Sequence, residues 1–391
     1  MIILNAETRS LKRASIVMKR VVGLDISPNT IERISLEVGN DLEAAEQEQW
    51  QSVLHSKVTV PSLAVVEFDG GRIRTRKTGC GPGVHLTSKG WNETKNAIFV
   101  SATSETSEVD PQPEPPSCFL DPDHVVKLTE KAKTTEKTGS DDSQADDKAE
   151  PSDEQNPSSR NTTHKPKRLL RTVISSMESA KEFGKQMYRE ATRRRFGEAD
   201  RKAFVADGLT CNWSIHHEHF ADYVPILDFT HAVSYLFTAS IACLGKTEQA
   251  WTAYAGWMRA AWQGNIALVI AELKVRQAQI GHPPEDVAED DPREQLRRVI
   301  GYLQNNRSRM KYDEHRKMGL PTTSAWMESA VKEMNYRIKG TEMFWNNPEG
   351  AEAILKIRSA SLSDDDRLVR LMTHRPGKST LRRECLAQNA A

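Results

Sequence analysis

Two aspartates in this chain stand where an apolar run ends, and each is followed by glycine: Asp69 in VVEFDGG and Asp207 in AFVADG. If those runs are strands, both carboxylates project past the end of a sheet, and the glycines permit a sharp turn or a close ligand approach. Two carboxylates from adjacent strands can hold a divalent cation, which takes hard oxygen ligands. A third acid nearby would complete a two-metal centre for phosphoryl transfer, where metals activate the attacking oxygen and stabilise the leaving one. Glu328 is the candidate for that third position, in the first turn of the helix expected over Ala325 to Ile338. Taken singly, each has a plainer reading. Strand-end Asp-Gly is usually a turn, and an acid in a first helical turn is favourable with the helix dipole alone. The set carries the argument.

Other groups could join that chemistry. Basic residues flank the candidate acids: Arg72 after Asp69, Arg307 and Arg309 before Glu328, and Lys332, Arg337 and Lys339 after it. Cations around a carboxylate cluster suit a phosphate backbone, although for any single lysine a solvated ion-pair partner is the better reading. Asp228-Phe229-Thr230-His231 is a D-x-x-H at a helix start. Its members could ligate metal or position a phosphate, and His231 alone reads better as a core histidine. His216, His217 and His219 form a His-rich turn with no matching cysteine pair, which argues against zinc. The Trp251–Trp262 stripe has helical spacing and reads as core before base stacking. No phosphate-loop, dinucleotide or nucleophile-elbow motif occurs.

The elements that must position these groups emerge from pattern. Ser62 to Phe68 is an apolar strand, Arg72 to Arg76 alternates, and Asp69-Gly70-Gly71 between them predicts a hairpin. With Asn96 to Ser101 they predict a three-stranded antiparallel meander. Lys202–Ala206 and Val224–Leu227 are short buried-type strands. Helices are predicted from Pro28 behind a Ser27 cap, over about Asp41 to Leu54, from Val173 to Phe196, from His231 to Cys243 with Gly245 as stop, from Pro292 behind Asp291, and from Pro348 to Arg358. From Ser104 the chain turns proline-rich, then acidic and rich in Ser and Thr. Between Lys131 and Lys167 no aliphatic residue exceeds alanine, so residues 104–167 are expected to be disordered.

Composition bounds the class. The chain has 391 residues, with 54 Lys+Arg and 54 Asp+Glu, so it is neither a uniformly basic nucleic-acid coat nor an acidic solvating chain. Its 38% apolar content is below the globular norm, as a polar insertion would make it. Cys80, Cys118, Cys211, Cys243 and Cys385 are scattered, odd in number and never in C-x-x-C spacing, against both a disulfide framework and a zinc ribbon. No apolar run approaches the roughly 20 residues of a membrane span, and no signal peptide is evident. A soluble, cytoplasmic protein is expected.

Four blocks in order resemble the catalytic region of bacterial insertion-sequence transposases of the Kra type, DDE enzymes related to the Mutator-like group. The first is VVEFDGGRIRTR with GPGVH and WNETK; the second is AFVADGLTCNW with HFADYVPILDFTHAVSYL. The third is YLQNNRSRMKY with GLPTTSAWMESAVKEMNYRIKGTEMFW, and the fourth is FWNNPEGAEAILKIRS with the RPG at Arg375. The resemblance covers most of Ser62 to Gly377 outside the polar insertion. It implies an α/β, RNase H-like mixed sheet with flanking helices. Asp69, Asp207 and Glu328 would be the DDE triad binding two Mg²⁺ or Mn²⁺ ions, and Asp228 and His231 would match the family's [C/D]-x-x-H motif. Arg72, Arg307, Arg309, Lys332, Arg337 and Lys339 would contact DNA.

The domain layout it implies is a short helical N-terminal segment over 1–60, a DNA-binding region truncated relative to the family, and core at 61–103. The disordered insertion at 104–167 follows, then core at 168–245, an all-α insertion at 246–321, the last core helix at 322–345 and a C-terminal helix and basic tail at 346–391. The implied function is metal-dependent DNA cleavage and strand transfer of an insertion sequence, acting as a homo-oligomer on DNA and associated with the nucleoid. A DNA-binding inactive remnant and a metal-dependent nuclease without strand transfer are the rival expectations.

Overall fold

The computed structural model describes residues 1–47, 59–75, 91–137, 165–284, 286–339, 345 and 348–374. Leu63–Arg74 (β1), Trp91–Thr103 (β2), Lys167–Ser176 (β3), Arg201–Ala206 (β4) and Val224–Leu227 (β5) form one mixed sheet. Its order is β3-β2-β1-β4-β5. β1 is central: it runs antiparallel to β2, which runs antiparallel to β3, and parallel to β4, which runs parallel to β5. Burial on both faces explains why Leu63 to Phe68 and Ala203 to Ala206 read as unbroken apolar runs.

The expected hairpin at Asp69-Gly70-Gly71 does not form. β1 continues straight through both glycines, which pair with Lys95 and Thr94 of β2. A Cβ on Gly71 would lie 2.7 Å from the Thr94 hydroxyl oxygen, so glycine here serves close strand approach and not reversal. The meander is therefore β1-β2-β3. Its third strand takes the front of the segment expected to be a single helix over Val173 to Phe196. Only Ala180–Arg193 (α5) is helical there, capped by Ser179. The alternating exposed and half-buried residues at the start of β3 are the period-2 signal that a helical reading passes over.

The segment from Ser104 is not disordered as far as Lys137. Asp110 takes two hydrogen bonds from Arg316, Trp262 Nε1 donates to the Gln112 carbonyl, and the Tyr254 hydroxyl donates to the Phe119 carbonyl. These partners are distant in sequence, so composition alone does not reveal them. Pro122–Lys137 (α4) follows, with the Asp121 side chain accepting from the Asp123 N–H. Residues 138–164 lie outside the described residues, as do GPGVH, the RPG at Arg375 and the basic end that follows it, Cys80, Cys385 and the chain beyond Gln47 in the expected Asp41–Leu54 helix.

Helices cover both faces of the sheet. Strand alternation sends Phe68 to α5, where its ring lies 5.8 Å from that of Phe183. Glu67 and Asp69 point the opposite way, toward Ala325–Ile338 (α12), which packs on β1 and β2. Thr210–His219 (α6) connects β4 to β5, so the expected His-rich turn is helical. Phe229–Leu244 (α7) ends at Gly245, which adopts φ 67°. Residues 246–321 are helical between loops: Glu248–Trp262 (α8), Ile266–Ile280 (α9), Pro292–Asn306 (α10) and Tyr312–Lys317 (α11). The tryptophan stripe is core, with Trp257 and Trp262 buried.

The N-terminal residues form Ile2–Glu7 (α1), Leu11–Val17 (α2) and Pro28–Gln47 (α3), the last one continuous helix where two were expected. α1 and α3 pack on Pro348–Ser361 (α13), with Gly39 admitting Ala353. Arg337 locks this arrangement. It is fully buried and donates to the Asn5 carbonyl, the Asn5 side-chain oxygen and the Arg9 carbonyl. That removes Arg337 from the surface cations expected to meet DNA. Arg337→Ala orphans these buried acceptors, so it is expected to cost about 3 kcal/mol. A shift of the urea midpoint at unchanged slope would verify this, and an unmoved midpoint would refute it.

Candidate functional site

The register of the sheet assembles the site. Phe68 is level with Ala206, and Ala206 with Leu227. One residue further along these parallel strands come Asp69, Asp207 and Asp228, in a row just past the carboxyl ends of β4 and β5, where β1 runs on beyond them. No single strand signals this; it follows only when the three are aligned.

Asp69 and Asp207 stand close enough to repel each other. Burial, and then the Asp207 charge, lift the Asp69 carboxyl from its ordinary 3.8 to about 6. Asp207 Oδ1 accepts from the Leu209 N–H and the Asn212 side-chain amide, so the turn into α6 holds it. Gly208 is pressed from outside: a Cβ there would sit 2.1 Å from Tyr302 Cε2 of α10. The Tyr302 ring stacks on Tyr235 with centroids 3.6 Å apart, so α10 and α7 together press on the Asp207 turn.

Asp228 is a buried hub. Its carboxylate accepts from Thr230 N and Oγ1, from Ser324 N and Oγ, and pairs with His231 Nδ1 at 2.9 Å. Burial alone would raise its pKa, but the His231 hydrogen bond and charge, with the Ser324 and Thr230 donors, bring it below the ordinary value. His231 is raised to about 9: burial opposes this, and Asp228, Asp207 and Asp69 overcome it. His231 is therefore an imidazolium facing the Asp69–Asp207 pair, not an apolar core histidine.

Glu67, which the sequence does not single out, braces the opposite wall. It is fully buried, and Oε2 accepts the Met327 N–H at 2.7 Å while Oε1 has no hydrogen-bond partner. Burial drives its pKa well up, and the Asp228 and Glu328 charges add to this. With Ser324 tied to Asp228, two buried carboxylates fix the first turn of α12, which carries Glu328. Glu328 itself pairs with Lys131 of α4 at 2.8 Å.

The remaining candidate cations divide. Arg72, Arg307 and Lys332 are exposed. The Arg309 guanidinium lies over the Trp213 ring, 4.1 Å from its centroid. Lys339 is exposed at the end of α12; desolvation lowers its pKa, and the Asp69 charge opposes this.

Two adjacent carboxylates that resist joint ionisation fit a hard divalent cation, which would relieve their repulsion. Among the described residues, no group of three His, Cys, Asp or Glu side chains is gathered as a metal cage. Asp69 and Asp207 are thus the fitting pair, with Glu328 held by Lys131. Cys118, Cys211 and Cys243 form no disulfide. No helix among the described residues is long and apolar enough to cross a membrane. No family model matches this chain, and neither does any curated protein sequence.

Both raised pKa values mean that the folded protein holds protons the unfolded chain releases. Stability therefore falls as pH rises: through Asp69 between about 3.8 and 6, and through His231 between about 6.5 and 9. We expect wild type to lose on the order of 1–2 kcal/mol across the upper window, and His231→Gln to lose less. Denaturant midpoints taken in steps through that window read the difference; parallel profiles would contradict it.

Proposed function

We propose that this chain is a DDE transposase with an RNase H-like core, which cleaves DNA phosphodiesters at element ends and joins the 3′-hydroxyl to target DNA. The observation that carries this reading is the mutually repelling Asp69–Asp207 pair where the parallel pairing of adjacent strands β1 and β4 ends, in a sheet of order β3-β2-β1-β4-β5. The resemblance of the four sequence blocks supports it, and so does Glu328 on a helix packed against β1.

Asp69 and Asp207 would hold Mg²⁺ or Mn²⁺, with Glu328 as the third carboxylate of a two-ion site. Such ions, when bound, supply an activated oxygen nucleophile and stabilise the leaving oxygen. The protein contributes the rest. His231, held cationic by Asp228, offers positive charge to a phosphate beside the carboxylates. Glu67 and Asp228 keep α12, the helix that carries Glu328, seated on the sheet. Arg72, Arg307, Arg309, Lys332 and Lys339 would neutralise flanking phosphates. Paired ends imply at least two copies of the chain on DNA, in the cytoplasm with the nucleoid.

One observation favours a second reading. The Lys131–Glu328 pair occupies the third carboxylate, as an inactive remnant that only binds DNA could tolerate. The test is to incubate the protein with Mn²⁺, duplex DNA from the flanks of its coding sequence and a supercoiled target plasmid. Joined product is the expected result. Cleavage without joining would make the protein a nuclease, and neither product, with no heat of Mn²⁺ binding in the presence of DNA, would establish the remnant.

A further inference from the structure

α4 delivers a lysine to the acid cluster from outside the sheet. Val125, Leu128, Thr129 and Ala132 recur at helical spacing and are buried or half-buried, and the helix packs on α7. The Thr129 hydroxyl donates to the Val125 carbonyl. Just before α4, Phe119 meets Phe229 at the start of α7, with ring centroids 5.2 Å apart. α7 carries His231, so α4 is docked on the helix that already supplies a cation to the site. From there Lys131 reaches Glu328, 197 positions away in sequence, with Nζ 2.8 Å from Oε1.

The Lys131 charge is felt beyond Glu328. Burial and the Asp207 charge raise the Asp69 carboxyl, and the His231 and Lys131 charges oppose them. Desolvation lowers the Lys339 ammonium, Asp69 opposes this, and Lys131 adds to it. One ammonium thus acts on Asp69 from β1 and on Glu328 and Lys339 from α12. Among the described residues no three acids are gathered to hold a metal. Asp69 and Asp207 feel each other's charge, whereas Glu328 is neutralised by a lysine.

An ammonium is a compact single charge on a flexible stem. Lys131 is 62% exposed and Glu328 38%, and ion pairs this exposed are weak. A divalent ion carries twice the charge and binds carboxylate oxygens directly. The pair therefore suffices to engage Glu328 in the metal-free chain and yields to a stronger cation.

We propose that Lys131 is the resting occupant of the third carboxylate and competes with a divalent ion for Glu328, so that the full two-ion site forms only when the ion displaces it. This rests on the metal-dependent reading above and concerns the regulation of the same site. It also separates a displaceable pair from the permanent one that an inactive remnant would keep.

The test is calorimetry of the full chain with Mn²⁺ in the absence of DNA, so that no phosphate competes for Lys131. Glu328→Gln marks the binding step in which Glu328 takes part, by weakening or removing it. Lys131→Met keeps the apolar stem at an exposed position and is expected to tighten that same step ~5-fold, the upper range for an exposed pair. Lys131→Arg keeps the charge and is expected to bind as wild type or more weakly. Lys185→Met removes an exposed charge from α5 on the opposite face of the sheet, and is expected to stay within about 2-fold of wild type. In the Glu328→Gln background, Lys131→Met is expected to change the remaining binding by less than about 2-fold. Equal tightening there would reduce Lys131 to a distant charge and overturn the competition. Lys131→Met or Glu328→Gln binding as wild type would overturn it too. Each of these results leaves the transposase reading standing if Asp207→Asn still abolishes Mn²⁺ binding and cleavage. Absence of Mn²⁺ binding in wild type and Lys131→Met alike, with no cleavage of DNA, would remove the broader reading and the competition with it.

Discussion

Asp207→Asn is expected to abolish metal-dependent DNA cleavage, by ~10³-fold or more, while the protein stays folded. A bound divalent ion supplies several kcal/mol of transition-state charge stabilisation. Removing one of two adjacent carboxylates removes the charge that holds the ion. The asparagine keeps an oxygen where Asp207 Oδ1 accepts from Leu209 and Asn212, so the turn into α6 survives. The substitution also removes a repulsion: Asp207 is the second cause, after burial, of the raised Asp69 carboxyl. Thermal stability is therefore expected to hold or rise slightly as activity vanishes. That pairing is diagnostic, because a merely structural aspartate would lose both. Calorimetry with Mn²⁺ should show saturable heat for wild type and none for the variant. Cleavage by the variant at wild-type rate would sink the assignment of Asp207.

Asp228→Ala is expected to do the reverse and destabilise the protein by about 3–5 kcal/mol, the usual cost of breaking a buried ion pair. The carboxylate serves two elements in three ways: it caps α7 through Thr230, holds His231 of the same helix, and anchors α12 through Ser324. Its loss leaves a half-buried imidazole and a serine hydroxyl and N–H without their acceptor. Asp228→Asn keeps an acceptor for Ser324 but no longer holds His231 cationic, so it is expected to retain most of the stability and less of the activity. The two variants thus separate the seating of α12 from the charge on His231. Denaturant unfolding of Asp228→Ala close to wild type would show that the hub is not structural.

Both predictions depend on residues that differ in how visible they are in sequence. Asp69 and Asp207 are legible because each ends an apolar run before glycine. Asp228 and His231 are legible as a D-x-x-H, yet a sequence reading of His231 alone favours the core. Its proton is set by three carboxylates that only register brings together. Glu67 is invisible: a glutamate within VVEFD suggests an interruption, and only α12 packed on β1 reveals an acceptor for Met327. Arg337 fails in the other direction. Its charge suggests surface and DNA, but the N-terminal helices bury it among carbonyls.

The strand ends at Ala206 and Leu227, the helix from Ala325 to Ile338 and the stop at Gly245 are readable in the chain alone, because they rest on apolar periodicity and capping within a few residues. The passage of β1 through two glycines, the strand at Lys167–Ser176 and the order of residues 104–137 are not. Each depends on partners tens to hundreds of residues away, such as Thr94 against Gly71 and Arg316 against Asp110. Local propensity settles what a segment can form. Which face is buried, which charge is paired and which carboxylates share an edge are settled by the register of the sheet and the packing of helices upon it.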